Sequence, residues 1–193
     1  MRVGLNESLQ LSGSEHTNDG RIEVNGGELE HNGYLNNNNG AQITGVNAIL
    51  RFNDEVNNNS GAQIFAEKTT LHFAHTVSNN NGAQIFTDNA TLRFNGGLAN
   101  NGQLNVTFGG ASLFGNIAID SLGQIILSSN SNTTFLDDLS NKGELRVSPG
   151  SGATFFGDVS GPGNYTGTGS KFYEALFSPG SSPGLVIDEG DAT

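Results

Sequence analysis

Apolar and polar residues alternate along this chain in short bursts, and the bursts return at a fixed interval. In Gly143-Glu144-Leu145-Arg146-Val147 the apolar pair Leu145 and Val147 falls on one side of an extended strand, with Glu144 and Arg146 on the other. In Leu50-Arg51-Phe52 the outer residue is Arg51. This period-two pattern predicts half-buried strands. No window shows a 3.6-residue period, and Gly and Asn interrupt every run, so helices are not expected.

The interval between bursts sets the architecture. Gly20, Gly40, Gly61, Gly82, Gly102, Gly123, Gly143, Gly163 and Gly184 recur in steps of 20 or 21, most of them just ahead of a strand-like run such as AQIT, AQIF or QIIL. Phe52, Phe73, Phe94, Phe114, Phe135 and Phe155 keep the same register. Four residues after most of these comes another apolar position, Val56, Val77, Leu98, Leu139 or Val159, with Leu35 ahead of them. The repeat containing Phe114 offers Ile117 and Ile119 instead, which predicts a local bulge there.

Each repeat reads as three short strands: one after the Gly, one containing the Phe, and one ending in the Leu or Val before an Asn-rich turn. Because the same chemistry returns once per repeat, equivalent positions stack, and each strand pairs in parallel with its copy about 4.8 Å away. The expectation is all-β: residues 1–193 form one single-stranded parallel β-solenoid of about nine coils, a rod of about 40 Å.

The stacked columns follow. Ile43, Ile64, Ile85, Leu104, Ile125 and Leu145 form one inward aliphatic column and the six Phe an aromatic one. Gln42, Gln63, Gln84, Gln103 and Gln124, continued by Glu144, form an outward amide ladder. The Asn runs 36–39, 57–59, 79–81 and 100–101 fall at a sharp corner, where Asn and the following Gly tolerate left-handed backbone.

Composition narrows the function. The chain has 28 Gly, 34% hydrophobic residues and no Trp, thin for a globular core but sufficient for a narrow solenoid. A net charge of −11, with eight Lys and Arg spread singly, offers no basic stripe for nucleic acid or an anionic membrane surface. No cysteine is present, which excludes disulfides, thiolate metal sites and a Cys nucleophile and suits an exported protein. No apolar run reaches the roughly 20 residues that span a bilayer, and residues 1–13 lack the basic and apolar regions of a secretory leader.

Candidate chemistry is sparse. Asp137 with Asp138, and Asp54 with Glu55, sit at corners between the second and third strands, but adjacent residues on a strand point opposite ways, so neither pair is a ready acid and base. Arg51, His72 and Arg93 fall in one outward file along which a sulfated or carboxylated glycan could lie. Alternation also places Phe65 and Phe86 outside, an exposed apolar patch suited to another chain or to a sugar. The Thr residues are too scattered for an ice-binding face. No H-E-x-x-H, G-x-S-x-G, P-loop, EF-hand or Ca²⁺-binding nonapeptide pattern occurs, so no catalytic residue, metal or cofactor is expected.

Ser178-Pro179-Gly180-Ser181-Ser182-Pro183-Gly184-Leu185-Val186-Ile187 resembles the SPG-x-SPG signature of passenger-associated repeats in autotransporter-like secreted bacterial β-helix proteins. The resemblance implies a right-handed β-helix exported to the cell surface or beyond, as part of a longer chain. The expected role is a non-enzymatic stalk, adhesin or filament subunit, with a glycan-binding or polysaccharide-cleaving β-helix as the alternative. Open strand edges at the ends of a solenoid also make head-to-tail stacking of copies an expectation.

Overall fold

The structure, a computed structural model, describes residues 1–178; the repeat start at Gly184 and most of the Ser-Pro-Gly segment lie outside them. The described residues contain only strands, turns and bends, and the paired strands run parallel. They wind as a parallel β-helix of about eight turns. Nine rungs are numbered here from the N-terminus.

The first face is a nine-stranded sheet that begins with Arg2–Val3, continues through Arg21–Asn25 and Gln42–Val46, and ends with Asn164–Thr166. In rungs 3 to 9 two further faces complete the cross-section, as with Ile49–Phe52 and Val56–Asn58 in rung 3. In rungs 1 and 2 these merge into single long strands, Ser8–Asn18 and Glu28–Asn37, so the second and third faces belong to one sheet. Rung 1, ahead of Gly20, lacks the Gly, Gln and Phe markers and extends the solenoid one rung beyond the repeat.

The aliphatic column is as expected: Ile43, Ile64, Ile85, Leu104, Ile125 and Leu145 pair in sequence and are buried. The aromatic column is corrected at one place. Phe94 pairs with Leu113, and Leu113 with Phe135, so Leu113 fills the core slot and Phe114 points outward. Below Leu113 the step matches the Gln ladder, Gln84 to Gln103 and Phe94 to Leu113 both advancing 19 residues, whereas above it Leu113 to Phe135 advances 22 against 21 from Gln103 to Gln124. The expected bulge is absent from this rung, whose strand Gly110–Leu113 keeps unbroken register with both neighbours. An irregularity of register lies instead between Ser12 and Glu15 in rung 1.

The third face is corrected too. Its strands begin at the apolar residue and run into the Asn segment, as Val56–Asn58, Val77–Asn79 and Leu98–Asn100. Left-handed backbone at non-glycine residues falls elsewhere, mainly at the corner between the first and second faces: Asn47, Lys68, Asn89, Phe108, Ser129 and Asn130. In the Asn-rich corner the left-handed residue is Gly, as at Gly82 (φ 78°). By Gly123 the demand has changed, since a side chain there would collide with the Asn100 carbonyl of the rung below.

Candidate functional surfaces

The Asn segments hold the least expected feature. Alternation from Val56, Val77 and Leu98 turns Asn58, Asn79 and Asn100 inward, and these are fully buried with Asn37 and Asn141. Asn18, Asn37, Asn58 and Asn79 each donate from Nδ2 to Oδ1 of the Asn one rung on, at 2.8, 2.8, 2.9 and 2.8 Å. The same amides also donate to the first-face carbonyls of Gln42, Gln63, Gln84 and Gln103, at 3.0 to 3.3 Å. A buried amide is costly unless bonded, and here each link is bonded both along the axis and across the corner. The signal was available in the sequence, since the apolar positions and the Asn two residues later share one side of the strand.

The outer ladder is present but looser. Gln42 donates to Gln63 at 3.3 Å, Gln63 to Gln84 at 3.4 Å, and Gln124 to Glu144 at 3.1 Å, all at exposed or half-exposed positions. Next to it Phe65 and Phe86 point outward as expected and are half-buried. Their rings stack at 5.4 Å with planes only 5° apart. Each covers a face of the other, so the pair presents mainly edges to solvent. A sugar stacks on a ring face, which makes this pair a poor platform for one.

Arg51, His72 and Arg93 stand in register on the second face. Each has a partner. Arg51 Nε pairs with Glu28 Oε1 at 3.0 Å, and Arg93 Nε donates to Asn95 Oδ1 at 2.6 Å while its guanidinium lies 4.4 Å above the Phe114 ring centre. Asn95 Nδ2 lies 2.9 Å from His72 Nε2. Burial, followed by the charges of Arg93 and Arg51, lowers the His72 pKa below the ordinary value, which favours a neutral ring at pH 7. The file therefore presents two partly engaged cations flanking a neutral ring rather than three free cations.

The corner carboxylates serve the backbone. Asp137 Oδ2 accepts from Gly115 N at 2.7 Å, Asp138 Oδ1 from Asp158 N at 2.9 Å, and Asp54 Oδ1 from Glu55 N at 2.8 Å. Among the described residues no group of three or more His, Asp or Glu converges as a metal site would require.

The N-terminal end has its own chemistry. His31 occupies the head of the aromatic column, paired in register with Phe52, and its Nε2 lies 2.9 Å from His16 Nδ1. The two rings line a cleft of about 510 Å³ with Leu11, Ile22 and Leu35. Burial, and secondarily the neighbouring His16, lowers the His31 pKa to about 4, against the opposing pull of the Gly33 backbone and Asp54. His31 is thus neutral at pH 7 and behaves as a core ring.

Comparison of the chain with protein-family models, with curated proteins and with solved structures yields no match.

Proposed function

We propose that this chain is a non-catalytic structural β-helix of an extracellular surface, serving as a stalk, adhesive rod or matrix subunit. The observation that supports this most is the run of buried amide bonds from Asn18 to Asn100, which ties rung to rung inside a core already tied by parallel backbone pairing. Separating any two of those rungs breaks strand pairing and a desolvated side-chain bond together, a property suited to bearing load along the axis. The polar surface chemistry fits the same role, because the candidate acid pair Asp137 and Asp138 is engaged with corner amides.

Incubation with acidic polysaccharides, followed for new reducing ends and unsaturated products, tests the non-catalytic part of this reading. No product is expected; product formation that disappears in a D137N/D138N variant would overturn it. Protease treatment of intact cells that carry the gene tests the extracellular part, with cleavage expected and full protection contradicting it.

End-to-end stacking into filaments is the more demanding version. The irregularity between Ser12 and Glu15 makes the long strand of rung 1 a poor template for another chain, because bulged edges resist pairing. Negative-stain images at micromolar concentration should therefore contain mostly single short rods. Long filaments would restore the stacking model.

A further inference from the structure

Along the corner that follows the second face, the outward position just after the core aromatic changes character halfway up the rod. In rungs 3 to 5 it is Asn53, Ala74 and Asn95; in rungs 6 to 8 it is Phe114, Leu136 and Phe156. These three stack one rung apart, since Leu136 N donates to the Leu113 carbonyl at 2.9 Å and Phe156 N to the Phe135 carbonyl at 2.8 Å. In rung 9 the column ends in Glu174, whose N donates to the Phe155 carbonyl at 2.9 Å, while Phe172, in register with Thr154, stands beside it on the second face. Phe156 is 52% and Phe172 45% exposed. The fold does not require this apolarity, because the same column accepts Asn and Ala lower down.

The ridge has an acidic rim. Asp137, Asp138, Asp158 and Glu174 are all exposed beside it. The ion pairs found among the described residues involve Glu23, Glu28 and Glu67, all in rungs 2 to 4, so none of the four rim carboxylates has a basic side chain on it. Three are pinned by backbone donors, Asp158 Oδ1 taking Leu176 N at 3.2 Å in addition to the bonds of Asp137 and Asp138. The rim is thus a strip of carboxylates without ion-pair partners, three of them held in place, beside the exposed rings of Phe156 and Phe172.

We infer that the ridge of Phe114, Leu136 and Phe156, with Phe172 beside it on the second face and an acidic rim, is a docking surface for a partner protein segment whose apolar side chains are flanked by Lys or Arg. Burial of the rings supplies affinity, and the rim supplies orientation and a salt-sensitive association rate. Charge complementarity selects this occupant. An acidic polysaccharide or anionic lipid surface meets the rim with like charge, and a second copy packed ridge to ridge brings the same carboxylates to the contact, with Arg93 as a countercharge only at its Phe114 end. The inference does not depend on where the protein is exported.

The test uses the full chain and two labelled amphipathic peptides with Leu on one face and either Lys or Glu on the other, followed by fluorescence anisotropy. The Leu/Lys peptide should bind, and the Leu/Glu peptide should bind at least tenfold more weakly. Because both rings already face solvent, F156S/F172S should keep the wild-type Tm and lose at least tenfold in affinity. D137N/D138N/D158N should flatten the salt dependence. Leu122→Ser, at an exposed residue (63%) on a different corner, should change nothing. Equal binding by wild type and F156S/F172S would reduce the effect to net charge and overturn the assignment, as would failure of the Leu/Lys peptide to bind. A concentration-dependent dimer of the wild-type chain that F156S/F172S abolishes would overturn it in favour of a second copy.

Discussion

Rungs 3 to 5 and rungs 6 to 8 are built from the same three strands, yet they solve the interior differently. In the lower group Phe52, Phe73 and Phe94 stack at 5.2 and 4.9 Å beside the bonded column of Asn58, Asn79 and Asn100. Rung 6 interrupts both columns at once, with Leu113 in the ring slot and Ile119 in the amide slot. Above it the ring column resumes as Phe135 on Phe155 at 4.7 Å, whereas the amide returns only as Asn141. Asn141 is satisfied within its own corner: it donates to the Asn164 carbonyl at 3.0 Å and accepts from Gly143 N at 3.0 Å. A buried position in this fold therefore takes either an amide or an aliphatic, provided no donor is stranded. The inter-rung amide bonds are an addition specific to rungs 1 to 5.

The comparison can be broken most forcefully at the rings. Phe73→Ala should cost about 3–5 kcal/mol in urea unfolding and exceed the cost of Leu113→Ala, because a larger volume is lost between two closely stacked rings. A reversed order would mean that rung 6 is not the weaker joint.

Acid should act next, and chiefly through the lower end. His31 has a folded pKa of about 4 against an unfolded value of 6.5, so on acidification the unfolded chain takes up the proton first. Stability from this group is complete above pH 6.5, drains as pH falls toward 4, and amounts to at most roughly 3 kcal/mol. His31→Phe should remove that part of the slope between pH 6.5 and 4; an unchanged slope would place the acid sensitivity elsewhere.

Asn79→Ala should cost about 2–3 kcal/mol, since it strands the Asn58 donor and the Asn100 acceptor in a dry interior. Asn141→Ala should cost less, having no ladder neighbour below it. At the small end, Gln63→Ala should change stability by no more than about 0.5 kcal/mol, because its 3.3 and 3.4 Å bonds compete with water.

Much of this architecture can be read from the chain, and the exceptions have physical reasons. The Gln and Ile columns are legible because one residue type recurs in every rung and alternation fixes its side. Phe114 misleads because Leu113 and Phe114 are both apolar and adjacent: the 19-residue step from Gln84 to Gln103 favours Leu113, but the 21-residue step from Gln103 to Gln124 matches Phe114 to Phe135, so spacing alone does not decide between them. The Asn ladder is hidden by polarity itself: an isolated amide belongs in water, and it becomes stable inside only when its neighbours a full rung away are amides too. Rung 1 is hidden because its short first-face strand, Arg2–Val3, carries no Gln and Leu11 stands in the ring slot in register with His31. The apolar ridge is completed by the corrected register, which turns Phe114 outward in line with Leu136 and Phe156, the residues that follow the core rings Phe135 and Phe155.

The central claim is that residues one rung apart lie directly over one another, deeply enough to bury a continuous column of amides. Its most direct test is solution NMR of the side-chain amide protons of Asn58 and Asn79. They should resist hydrogen exchange far longer than those of exposed Asn39 and should show cross-peaks to the Asn one rung above. Exchange as fast as that of Asn39, or cross-peaks absent between these rungs, would contradict the account.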